Sequence, residues 1–193
     1  MDILFWSGGK DSYLSYHFYK KINPRRCIGL LTTFNEGSDI IPHQELSIKT
    51  IKKQSRQLNL PLFTVPLPPK CPNEVYLEKV GNAIRSIPKR SARLIFGDRL
   101  APEIINWREK NFAELGFDCF FPIQDKSVDE LLAVLEDAPV KVRISAVREP
   151  FKSSIKVGQR YNGNFIKELP DEVDPMGEQG EFHTEIIFEN KAG

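Results

Sequence analysis

Ser7, Gly8, Gly9, Lys10, Asp11 and Ser12 set two hydroxyls, an ammonium and a carboxylate around a pair of glycines, directly after the apolar run at residues 2–6. Between a strand and a helix, such a stretch points successive backbone N–H groups and the positive end of the helix at one spot, which favours an anion. Bare backbone at Gly8 and Gly9 permits close approach to phosphate oxygens and a positive φ, Lys10 adds a point charge, and the serines add donors. Asp11 can hold a Mg²⁺ that bridges phosphates. The spacing is neither that of the Walker loop nor that of the dinucleotide fingerprint, so ordinary NTP hydrolysis is not implied. A tight turn capped by Asp11 or Ser12 would need the glycines alone; the lysine and hydroxyls favour the phosphate site.

A second group of reactive types falls at 174–184, DPMGEQGEFHT, where two glycines frame Glu178 and Glu181 ahead of His183 and Thr184. Two carboxylates and an imidazole on a glycine-bent loop could bind a cation or ammonium, or could supply a base that deprotonates an incoming amine. Either glutamate alone would read as a solvated turn.

The elements that must position these groups alternate along the chain. Apolar, β-branched runs at 2–6, 27–34, 61–67, 93–98 and 117–123 read as strands. Helical periodicity separates them, carried by Leu14, Phe18 and Ile22, by Ile48, Ile51 and Leu58, by Leu77, Val80, Ile84 and Ile87, and by Ile105, Phe112 and Leu115. Strand-helix alternation of this length implies an α/β fold, a parallel sheet with helices on both faces and ligands at the carboxyl ends of its strands. Gly97 and Asp98, closing the fourth strand, then lie beside the first loop, and Thr32, with Thr33 at the end of the second, suits a nucleotide base or ribose. Arg108 falls on the apolar side of its helix, where snorkelling outward is the expected outcome. After Pro122 the rhythm loosens into a helix through Val128, Leu131, Leu132 and Leu135, a strand at 140–148 and a last strand at 184–189. The chain therefore divides into an α/β region at 1–121 and a smaller α+β region at 122–193, with the candidate cleft between them.

With 27 basic and 26 acidic residues, the net charge of +1 gives no broad field for gathering nucleic acid or anionic lipid, although a local basic groove is left open. No apolar stretch is long enough to span a membrane, and the glycines at 8–9 interrupt the first one too early for a secretory signal, which together point to the cytoplasm. Cys27, Cys71 and Cys119 are odd in number and widely spaced, so neither a disulfide framework nor a paired-cysteine metal site is expected. Cys27 and Cys119, inside apolar runs, are expected in the core, and Cys71 in a loop.

SGGKDS after a first strand resembles the PP-loop of the ATP pyrophosphatases, which split ATP between its α and β phosphates. The 174–184 string is similar to the DP-Cys-GE-x-GEFHT signature of the diphthine ammonia ligase family and its bacterial relatives, as are segments at 42–45, 60–76, 96–109 and 169–175. The resemblance implies a Rossmann-like fold of the adenine nucleotide alpha hydrolase type. It also implies that ATP and Mg²⁺ are used to adenylate a substrate carboxylate, on a small molecule or a modified protein residue. Ammonium or a separate ammonia donor then displaces AMP to form an amide. Ser7, Gly8, Gly9, Lys10 and Ser12 would hold the departing pyrophosphate and Asp11 its metal, each lost donor raising the barrier by on the order of 3 kcal/mol. The competing readings are a PP-loop enzyme that modifies tRNA and a non-catalytic adenine-nucleotide binder; a homodimer is compatible with each reading. The balanced charge and the scattered Cys27, Cys71 and Cys119 count against the tRNA enzyme, so nucleic acid is not an expected partner. The sequence departs from the family in having Met176 where relatives carry a cysteine, and in separating Gly158 from Arg160 where relatives place the two together.

Overall fold

The computed structural model describes residues 1–87 and 93–189. Nine strands and six α-helices follow one another as β1 (Asp2–Phe5), α1 (Lys10–Ile22), β2 (Ile28–Asn35), β3 (Ile40–Ile41), β4 (Leu46–Ser47), α2 (Ile48–Leu58), β5 (Leu62–Leu67), α3 (Asn73–Arg85), β6 (Arg93–Ile95), α4 (Pro102–Glu114), β7 (Asp118–Phe120), α5 (Val128–Asp137), β8 (Val140–Val147), α6 (Gly163–Lys167) and β9 (Phe182–Phe188) among the described residues. The parallel strands lie in the order β5-β2-β1-β6-β7. From β1 the chain steps one way to β2 and β5, then crosses back to β6 and β7. The direction of winding thus reverses between β1 and β6, and a crevice opens at their carboxyl ends. This is the Rossmann-like, doubly wound architecture expected of the alternating pattern.

Period-two burial of the strands feeds two cores. Leu4, Trp6 and Leu30 face α1, α2, α5 and the C-terminal ribbon β8-β9. Ile3 and Leu31 face α3 and α4, through Val80, Ile84 and Phe112. Leu14 and Phe18 sit buried on α1 as their spacing predicts, but Ile22 closes the helix at 61% exposure, because the chain turns away there before reaching β2. Ser47 caps α2 by accepting from the Thr50 amide, and α5 opens on a reciprocal capping box between Ser127 and Glu130.

The short hairpin β3-β4 was not foreseen in the polar stretch after β2; it pairs antiparallel with the end of β2 at Asn35 and Ile40. The last strand begins at Phe182, two residues earlier than its sequence pattern suggests. Cys27 is exposed rather than core, since it belongs to the turn ahead of β2, whereas burial in β7 pushes the Cys119 thiol up to about 12. Among the described residues no helix is long and apolar enough to cross a membrane.

Candidate active site

The loop between β1 and α1 stands at the crevice where winding reverses, as placed from sequence. Gly8 has φ +85°, a conformation open to glycine, and a Cβ there would lie 2.6 Å from Ile51 Cδ1 and 2.9 Å from Gln54 Oε1. A Cβ on Gly9 would come within 2.9 Å of the Thr184 carbonyl oxygen. The expected positive φ is therefore present, but the space freed by the two missing side chains is taken by α2 and β9 rather than held open for a ligand. Gly97 has a similar role at the end of β6, where a Cβ would meet the Asp11 carbonyl carbon at 3.0 Å. Its bareness lets the fourth parallel strand close against the first turn of α1, the proximity foreseen for it.

The second constellation meets the first through β9. The Ile186 amide donates to the Gly8 carbonyl at 2.9 Å, so the loop continues the ribbon edge. Thr184 Oγ1 accepts from the Lys10 amide at 3.0 Å, capping α1 from a strand 174 residues away. Gln54 Nε2 donates to the carbonyls of Gly8 and Ile186, while its Oε1 accepts from Trp6 Nε1 at 2.8 Å. Ser12 Oγ donates to the Gly9 carbonyl at 2.9 Å and lies 3.5 Å from Ser7 Oγ.

Lys10 is 2% exposed. Its ammonium donates to both carboxylate oxygens of Asp11 at 2.9 Å and to the Met176 carbonyl at 2.5 Å, and it lies 5.8 Å and 6.0 Å from the ring centroids of Tyr161 and Phe182. Tyr161 donates its hydroxyl to the Pro175 carbonyl at 3.0 Å, with Met176 Sδ equally near. Met176 is thus a buried packing element whose main chain holds the lysine.

Of the three candidates in the C-terminal loop, Glu181 is 1% exposed and accepts from the Asp174 amide at 2.9 Å and the Gln179 amide at 3.0 Å. Both its oxygens are engaged in shaping the loop. Glu178 accepts from Arg99 Nε at 2.8 Å; burial pushes its carboxyl above the usual range, with Arg99 pulling the other way and the Asp11 charge adding to the rise. His183 stands beside His43 of the β3-β4 hairpin, ring centroids 5.7 Å apart. Burial, then His43 and Lys10, hold its imidazole down at about 4, against the opposing pull of Asp11.

Asp98 is engaged by Arg108, whose Nε donates to it at 2.6 Å and whose guanidinium stacks 4.3 Å over the Phe96 ring. Arg108 therefore does not snorkel: an anion just beyond the end of β6 matches its charge inside the fold. Thr32 is 2% exposed and its Oγ1 has no hydrogen-bond partner among the described residues. It does not end β2, which runs on to Asn35 in pairing with β5, but it lies one residue past the level at which β1 stops. Arg99, Gln54, Thr184 and Tyr161 were not among the candidate site residues. Gln54 gave one signal, a polar residue on the apolar face of α2 between Ile51 and Leu58.

Asp11, its side chain 37% exposed, is the residue that would hold Mg²⁺. Among the described residues no group of three or more His, Cys, Asp or Glu side chains converges as a metal cage. That donor set fits an ion that takes its remaining ligands from phosphate and water, as Mg²⁺ does.

No protein family matches the chain at sequence level, and no curated protein sequence does. Similar solved structures include a predicted subunit of a tRNA methyltransferase from Methanocaldococcus jannaschii, at 17% identity and a TM-score of 0.48, covering 87% of this chain and 84% of that one. A U34-tRNA thiolase, NcsA, from Methanococcus maripaludis with its [4Fe-4S] cluster is similar at 14% identity and a TM-score of 0.43, over 69% of this chain and 55% of that one. Likeness of this degree concerns the fold alone.

Proposed function

We propose that this chain consumes ATP at the β1-α1 loop, breaking the bond between the α and β phosphates and leaving an acceptor oxygen adenylated. The observation that carries this reading is Lys10, a buried ammonium at the first turn of α1, aimed by the Asp11 carboxylate and the Met176 carbonyl. The amides of Asp11 and Ser12 open that helix without an acceptor in a preceding turn, and with Lys10 they supply fixed positive charge where a pyrophosphate leaving group becomes more negative. Mg²⁺ held at Asp11 would supply further neutralisation of the phosphates. Thr32, with its unpartnered hydroxyl, would take a ribose or base group.

The finer reading supported by the sequence resemblance is amide synthesis of the diphthine ammonia ligase kind. A carboxylate oxygen attacks the α phosphorus and pyrophosphate leaves. A nitrogen lone pair then attacks the acyl carbon, AMP departs, and the nitrogen gives up a proton. An imidazole held at about 4 is a weak base for that proton. Phosphates bound at the loop would offset the Lys10 charge, a smaller cause of the depression than burial or His43, so His183 stays a weak base with nucleotide bound. A second reading, in which the acceptor oxygen belongs to an RNA, is favoured by exposed arginines on the outer face of the ribbon. The test is product analysis with ATP, ammonium and a carboxylate panel. AMP and pyrophosphate are expected, falling on the order of a hundredfold or more in Lys10→Ala; ADP and phosphate, or turnover indifferent to Lys10→Ala, would overturn the assignment.

A further inference from the structure

Arg143 of β8 stands opposite Arg160, whose segment runs antiparallel beside that strand. The Ile144 amide donates to the Gln159 carbonyl and the Tyr161 amide to the Val142 carbonyl, both at 2.9 Å. Those bonds flank the two arginines, so they form the closely spaced, non-hydrogen-bonded kind of antiparallel pair, with side chains on one face. Like charges set this way are unfavourable. On the other side of β8, Arg143 is in register with Glu185 of β9, and Lys53 of α2 acts electrostatically on the same glutamate. Across the ribbon the row therefore reads plus, plus, minus, with Lys53 of α2 near enough to act on Glu185. Both arginines are exposed, and neither takes part in an ion pair among the described residues. The other cations nearby are less free, Lys141 pairing with Glu189 at 3.0 Å and Lys152 with Glu149 at 3.4 Å.

This row adjoins the candidate site. Glu185 is two residues beyond His183 on β9, hence roughly 7 Å along the same face. Arg148, exposed and close enough to His183 to depress it, continues the positive charge toward the loop. From this arrangement we infer that the outer face of the β8-β9 ribbon binds the phosphodiester backbone of an RNA, with Arg143 and Arg160 as its anchor, and so delivers an RNA-borne acceptor to the site. The acceptor part rests on the reading of the loop as an adenylation site; the anchor does not. A small acid would be gripped in an enclosed pocket, whereas these guanidinium groups stand on an open strand face with cations spread to either side. Their planar forks match phosphate oxygens. The near-zero net charge of the chain conceals this segregation.

The test is fluorescence anisotropy with a labelled mixed-sequence RNA oligonucleotide, titrated between about 50 and 200 mM KCl. Wild type is expected to bind. The double variant Arg143→Gln/Arg160→Gln should bind on the order of tenfold or more weakly, with the slope of log affinity against log salt shallower by about 1.4, which is about 0.7 for each single-strand phosphate no longer neutralised. A control of equal charge change at exposed positions elsewhere, Lys21→Gln/Lys110→Gln, should bind as wild type does. Loss of the Arg143–Glu185 attraction is offset by removal of the like-charge pair, so the arginine variant should melt within a few degrees of wild type, and thermal midpoints of both are measured to separate weak binding from misfolding. No RNA binding by wild type, equal binding by the arginine variant, or displacement of RNA by a small tricarboxylate would overturn the inference. Wild type separates the two proposals: RNA binding without pyrophosphate release sinks the loop assignment alone, and pyrophosphate release without RNA binding sinks the anchor alone. Lys10→Ala is expected to lose pyrophosphate release and keep RNA binding.

Discussion

Lys10 is a cation with almost no access to water, and burying an ammonium is costly unless each donor finds a partner. Asp11 and the Met176 carbonyl meet that demand, so an arriving phosphate must exchange with one of them. His183 is the complementary case, an imidazole kept neutral by burial and by cationic neighbours. Its folded value of about 4 lies below the ordinary 6.5, so the unfolded chain binds more protons between those limits. The stability due to neutral His183 is full above pH 6.5 and lost as the pH falls through 4. Thermal midpoints measured across that window should decline toward acid, and His183→Gln should flatten the decline; an unchanged slope would show that the imidazole titrates normally. The types at 7–12 were legible as a candidate anion site because few other settings call for them together. Glu181 was harder to read, because a carboxylate that shapes a loop through main-chain amides has the same sequence signature as one that does chemistry.

At the scale of elements, β9 is the clamp on the β1-α1 loop. It reaches Gly8 through the Ile186 amide and Lys10 through Thr184, while Gln54 of α2 bridges the Gly8 and Ile186 carbonyls. Alternating strands and helices were legible because each carries a clear period. The β3-β4 hairpin was not, since two residues per strand leave no period to detect. The clamp was also hidden, because Thr184 and Gln54 act through backbone groups far away in sequence. Thr184→Val keeps the shape of the side chain and removes only the cap on α1. It should cost about 1 kcal/mol, a fall in thermal midpoint of roughly 2–4 °C for a chain of this size. The KM for ATP should rise with it, because the first turn of α1 loses its fixed position; a lower midpoint with an unaltered KM would mean that the cap serves stability only.

The molecule as a whole shows why a boundary drawn at residue 121 from the change of rhythm does not divide its apolar interior. One continuous cluster includes Leu4, Trp6, Leu14 and Ile51 from the α/β region together with Ile123, Leu131, Ile144, Phe182 and Ile186 from the later part. The ribbon completes the covering of a sheet face that would otherwise be exposed, and it supplies the Thr184 cap and the Ile186 amide that arrange the loop. Chains longer than about 150 residues often unfold through intermediates. Here the shared core predicts a single calorimetric transition, with calorimetric and van't Hoff enthalpies in agreement. An ATP analogue whose α-β bridge is a methylene should shift that whole transition upward, since it binds the folded chain alone. Two resolved transitions, of which the analogue moves one, would show that the ribbon and the sheet fold as separate units and that the clamp contributes little to either.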